Sequence, residues 1–168
     1  MQVNGYQLKE AVRRWKTRTD IANKQFHEAL YAFEGETKSD PATLGDAFTT
    51  AWANYAKAQE TQQIFNAQIQ VQVQDQRITL QLAVKLIAGA GIAEKMWRTA
   101  ATDTGRDKYS YREMTRTTDT IVAQRQITQT HAMQRADQAA RYAAALRAAI
   151  ATGNALTIDL EITPEIIE

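Results

Sequence analysis

The sequence predicts a mainly α protein, a helical bundle built on a long antiparallel helical hairpin, with a short β ribbon. Three observations predict it. Leu8, Val12, Trp15, Thr19, Ala22, Phe26, Ala29 and Phe33 fall at alternating steps of four and three, one continuous apolar seam along a helix. After a Ser-Asp-Pro break, Leu44, Phe48, Ala51, Tyr55, Ala58, Gln62, Phe65 and Ile69 repeat that spacing. Ile69, Val71 and Val73 then alternate strictly with glutamine, so the apolar period drops to that of a strand.

The elements follow in chain order. The first seam predicts a helix ending near Gly35, a residue able to take the left-handed cap conformation. Asp40 is a good N-cap for the next helix, and Pro41 suits its first position, where no N–H is needed. Two seamed helices with a short connection make an antiparallel hairpin whose arms measure on the order of 40 Å, at ~1.5 Å per residue. Glu10–Arg14, Asp20–Lys24 and Glu94–Arg98 place acid before base at i, i+4, which favours helix modestly.

A third helix is expected from about Thr79 to Ala101, with Leu80, Leu82, Ala83, Leu86, Ile87, Ala90, Met96 and Trp97. Gly89 and Gly91 either weaken it or admit another backbone. "TDTGRDKYSY" reads as a loop. "SYRE" has the form of a capping box, so a fourth helix starts there, or near Thr118, and runs to about Thr152. Its second half is rich in alanine, a strong helix former small enough for close packing. Gly153 and Asn154 end it. Leu156, Ile158, Leu160 and Ile162 then alternate with polar residues. Two separate period-two segments can satisfy each other's backbone groups, so residues 69–74 are expected to pair with residues 156–162. The rival reading lets "IQVQVQ" finish the second helix, because glutamine is a decent helix former.

Composition narrows the function classes. The 168 residues suit a single domain with its own core. With 44% apolar and 23% charged residues the chain reads as an ordinary soluble globular protein. The absence of cysteine excludes disulfides, thiolate nucleophiles and thiolate metal sites, and fits a reducing cytoplasm. Met1 to Glu10 is polar, without the apolar region of a secretory signal. A cytoplasmic location is therefore expected. The longest apolar run, Leu86 to Ala93, is far shorter than the ~20 residues of a spanning helix.

Charge is uneven although the net is only +1. Lys9, Arg13, Arg14, Lys16, Arg18 and Lys24 against Glu10 and Asp20 make the stretch from Lys9 to Lys24 +4. Asp159, Glu161, Glu165 and Glu168 make the last segment −4. Opposite charges would help the two ends meet. The basic segment could be a nucleic-acid footprint, but acidic residues flank Lys24 at pairing distance, so a solvated helix face is expected and no nucleic-acid partner.

No catalytic, cofactor-binding or metal-ligating residues are expected. Lys24 and Thr128 stand three residues before His27 and His131, where a di-iron bundle needs glutamate. Each histidine reads as a surface or boundary residue. Gly89-x-Gly91 would need glycine at position 94 to be a dinucleotide loop, and Glu94 stands there. Trp15, Trp52 and Trp97 lie on three expected helices and could converge on an apolar pocket, though such residues more often fill cores. Leu80 to Ala93 is apolar enough to suggest membrane insertion, against the plainer reading of a buried helix.

"ITLQLA" (Ile78 to Ala83), "YSYREM" (Tyr109 to Met114) and "ADQAARYAAALRAAIATGNALT" (Ala136 to Thr157) follow in an order that resembles the septicolysin-like family of small bacterial helical proteins. The match rests on Ala136, Asp137, Leu146, Ile150 and Asn154. The family's tryptophan is Ala155 here, and its Leu-Asp pair is Leu146-Arg147. The resemblance implies a long helical hairpin and, through the family's name, a cytolysin. It implies no functional residue. The expectation is therefore a non-catalytic interaction or assembly protein, a homo-oligomer joined through helix seams or strand edges. The alternatives are a membrane-active, cytolysin-like protein and a small-molecule binder with an aromatic pocket.

Overall fold

In the computed structural model, residues 1–34, 36–103 and 125–167 are described. The chain is mainly α, a bundle of two antiparallel helix pairs with small antiparallel strand pairs at their base. In chain order the elements are β1 (Gln2–Asn4), α1 (Gly5–Ala29), α2 (Pro41–Gln68), β2 (Gln70–Val73), β3 (Gln76–Thr79), α3 (Leu80–Thr102), α4 (Gln129–Ala155), β4 (Thr157–Asp159) and α5 (Pro164–Ile167).

The pair α1/α2 is the hairpin that the seams predict. Asn4 opens α1 with a capping box, its side chain accepting from the Gln7 amide while Gln7 accepts from the Asn4 amide. Asp40 opens α2 by accepting from the Thr43 hydroxyl and from the Ala42 and Thr43 amides. Those bonds, led by the hydroxyl, hold its carboxyl below the usual aspartate range. Leu8, Trp15, Thr19 and Ala22 of the first seam are buried, as are Ala51, Ala58 and Phe65 of the second. The seam stops short of its sequence extent. α1 ends at Ala29, and Phe33 is 85% exposed. Lys38 Nζ donates to the Glu28 and Tyr31 carbonyls, so a side chain from the following segment satisfies acceptors at the end of α1. Gly35, the expected terminus, lies outside the described residues.

The expected i, i+4 ion pair Glu94–Arg98 forms, with an N–O distance of 3.1 Å. Glu10 instead pairs with Arg13, and Asp20 with Lys16. Lys24 turns to Glu28.

The β pairing differs from expectation. Residues 70–73 pair not with the chain's last alternating segment but with residues 76–79, across a tight turn at Gln74 and Asp75. Gln74 takes φ 52°, which glycine or asparagine usually supplies. The second strand carries Ile78 as its one apolar residue, so its alternation was invisible. A local hairpin also costs the least loop-closure entropy. Residues 157–159 pair with Gln2–Asn4, a segment too short to show a period. The inward face is as expected: Ile69, Val71 and Val73 are buried.

α3 and α4 form the second pair. Ala83, Ala90 and Ala101 are buried on α3, and Ala132, Ala136, Ala143, Leu146 and Ala149 on α4. Small side chains let the two axes approach closely. The fourth helix is not continuous from Ser110 or Thr118. Residues 125–128 are non-helical, and α4 starts afresh with Thr128 as N-cap, its hydroxyl accepting from the His131 amide. Arg125 donates to the Ala100, Asp103 and Ile127 carbonyls, closing the end of α3 rather than extending α4. "SYRE" lies outside the described residues.

The pairs meet mainly at the base. One core cluster joins Val3, Leu8, Phe65, Val71, Leu80, Leu146 and Leu160. Gly153 sits inside α4 rather than ending it, because a Cβ there would lie 2.7 Å from Val71 and 3.1 Å from Leu80. Gly89 and Gly91, in contrast, face open space, and no second backbone comes near them. Opposite signs are therefore expected on substitution. Gly153→Ala should destabilise by about 1–3 kcal/mol through overpacking. Gly89→Ala should stabilise by up to about 1 kcal/mol, since glycine is a poor helix former. Urea unfolding of both variants checks this.

The first and last described segments meet, and among the described residues no ion pair joins them. Beyond the β1/β4 pairing, the Met1 nitrogen donates to the Leu160 carbonyl and the Leu160 amide to that of Met1. Ile166 is buried against Ala11, Trp15, Ala51 and Ala58. The Trp15 indole and the Arg14 guanidinium both donate to the Ile166 carbonyl, at 3.0 and 3.2 Å.

Candidate functional site

The most distinctive surface lies on the α1/α2 pair. Phe48, Trp52 and Tyr55 are spaced four and three apart on α2, so they share one flank beside the buried line Ala51–Ala58. Phe48 and Trp52 stack with centroids 6.1 Å apart and planes 21° apart; Trp52 and Tyr55 are tilted at 5.7 Å. These spacings suit favourable aromatic pairs. Phe48 and Tyr55 are half-buried, but Trp52 is 51% exposed.

Tyr55 forms one side of an open groove of about 770 Å³. The other side is α1, through Tyr6, Lys9, Val12, Arg13 and Lys16. Tyr6 is anchored by its hydroxyl to the Ala151 carbonyl of α4, 3.2 Å away. With Lys9, Arg13 and Lys16 against Glu10, the lining carries +2. The Arg13 hydrogen bond holds the Glu10 carboxyl below its ordinary range, and the same contact raises Arg13. A hydrogen bond to Asp20 raises Lys16. Glu10, Arg13 and Lys16 therefore stay charged at neutral pH.

A second unusual surface is at the far end of the same pair. Tyr31 and Phe33 are 84% and 85% exposed in the α1–α2 connection. Described residues of the connection are tied by bonds of their own. Lys38 grips the Glu28 and Tyr31 carbonyls, and Phe33 and Glu36 are joined by two hydrogen bonds.

The three tryptophans do not converge. Trp15 is buried in the second core cluster, Trp52 is exposed, Trp97 is half-buried on α3, and none lines the groove. His27 and His131 are both exposed, and His27 packs edge-on against Phe26. Among the described residues no three histidine or carboxylate side chains gather where they could hold a metal ion. Among the described residues, too, no helix is long and apolar enough to cross a membrane. In the stretch Leu80 to Ala93, Leu80, Ala83 and Ala90 are buried, while Leu82, Val84 and Ile92 face solvent.

Sequence spacing put Phe48 and Tyr55 in the apolar seam, and the structure leaves both half-buried. The spacing gave no warning that Trp52 would be half-exposed. The available signal was its position one residue past Ala51, about 100° around the helix from the buried line. Of the segments that carry the family resemblance, "ITLQLA" runs from β3 into α3, and the long alanine-rich segment runs along α4 into β4. "YSYREM" lies outside the described residues. Comparison with protein-family models, with curated proteins and with solved structures gave no match to this chain.

Proposed function

We propose that this protein is a non-catalytic assembly protein that pairs with copies of itself through the flank of α2 carrying Phe48, Trp52 and Tyr55. One observation carries the reading: a tryptophan 51% exposed at the centre of a stacked aromatic row, on a helix pair with no third helix over that flank among the described residues. Aromatic side chains at the middle of a patch contribute most to protein–protein binding. Self-association is the reading because closed homo-oligomers are the commonest way for a soluble chain to cover such a patch. The lack of cysteine favours a cytoplasmic setting. The order of motifs supports kinship with the septicolysin-like family.

Light scattering across a concentration series tests the reading. The wild-type chain should show at least twice the 18.9 kDa mass of one chain. Trp52→Ser should raise the dissociation constant by about 30-fold or more, the effect of losing a hot-spot residue. A single-chain mass at every concentration would overturn the proposal.

A further inference from the structure

We infer that the aromatic tip formed by Tyr31 and Phe33 docks into the basic groove of a second copy, so that two α1/α2 pairs lie antiparallel against each other. This rests on the self-association proposed above and names its geometry. The tip and the groove are complementary in three respects. In shape, two projecting aromatic side chains meet an open groove of about 770 Å³ with tyrosine on both sides. In charge, Glu28, Glu34 and Glu36 against Lys38 give the tip −2, while the groove carries +2. In order, Lys38 already holds the Tyr31 backbone, so less conformational entropy remains there to be lost on binding.

Position makes the contact reciprocal. The groove lies near the start of α1 and the tip just beyond its end, roughly 30 Å apart at ~1.5 Å per residue. Two antiparallel copies would place each tip in the other's groove. Phe48 and Trp52, on the same flank between tip and groove, would meet near the twofold axis. A footprint about 30 Å long and about 20 Å wide, the breadth of two helices, covers roughly 600 Å² per copy. The total, roughly 1,200 Å², falls at the lower end of stable interfaces. The tip cannot reach the groove of its own chain, because α1 is a continuous helix between them.

The test uses two variants of exposed side chains in the full chain. The tip variant combines Tyr31→Ser with Phe33→Ser; the groove variant combines Lys9→Glu with Lys16→Glu. Each should raise the dissociation constant at least tenfold without altering the circular dichroism spectrum. An equimolar mixture should associate more tightly than either variant alone, because a mixed pair regains one complete tip–groove contact. If both variants associate as the wild type does while Trp52→Ser weakens association, this geometry is wrong and the assembly proposal stands. A wild-type chain that stays monomeric removes both. If the tip variant keeps its mass but loses binding to phosphatidylcholine–phosphatidylglycerol vesicles that the wild type binds, the tip serves a lipid surface and the inference fails.

Discussion

Phe65→Ala should cost about 3–5 kcal/mol of folding stability, the usual range when a large buried aromatic leaves a cavity. Phe65 is fully buried in the last turns of α2 and belongs to the cluster that joins both helix pairs to the β2/β3 hairpin. Its carbonyl also accepts from the Ile69 amide, where the chain leaves the helix and becomes extended. The surrounding elements converge from different parts of the chain, so collapse around the void is restricted. For a chain of this size the melting temperature should fall by roughly 10 °C. Urea unfolding at a concentration below self-association isolates the effect from assembly. A loss under about 1 kcal/mol would show that the base relaxes freely and does not couple the two pairs.

Trp15→Ala should cost a similar amount, about 3–5 kcal/mol, with a second consequence. Trp15 is 8% exposed and shares a cluster with Ala11, Ala51, Ala58 and Ile166. Arg18 lies 4.5 Å over its ring. Its indole holds the Ile166 carbonyl, so truncation removes both the apolar surface under α5 and the donor that positions it. Trp15→Phe separates the two roles. It keeps most of the bulk and loses one hydrogen bond, a cost of about 1 kcal/mol. Hydrogen exchange at the Ile166 amide, which is bonded to the Thr163 carbonyl, reports whether α5 has come away. Protection at Ile166 that survives Trp15→Ala would reduce Trp15 to a core filler.

Both substitutions act at places that the heptad spacing had already marked as buried. Trp15 and Phe65 are seam residues, and their burial follows from period alone. The same period misjudged Phe33, because spacing states which face a side chain would occupy on a helix and not where the helix stops. At that endpoint Lys38, nine residues beyond Ala29, turns back onto the Glu28 carbonyl of α1 and the Tyr31 carbonyl just past it. The surfaces that carry the functional proposals were similarly half-legible. Tyr6, Lys9, Arg13 and Lys16 are visible as an exposed basic stripe, but the groove exists only because Tyr55 of α2 stands opposite.

The strands divide in the same way. Alternation in residues 69–73 was a local property of the chain, and the buried face it implied is the face observed. The choice of partner did not show in that alternation: Gln76–Thr79 and Gln2–Asn4 carry too few apolar residues to announce themselves. Sequence by itself determined the helical class, the first hairpin, the caps at Asp40 and the inward faces, since each depends on periodicity and capping within about one or two turns. Tertiary structure alone decided the pairing of Gln2–Asn4 with residues 157–159, the docking of Ile166 onto Trp15 and the tight seat of Gly153. Each of these depends on which distant segment comes to lie alongside, and no short-range pattern encodes that.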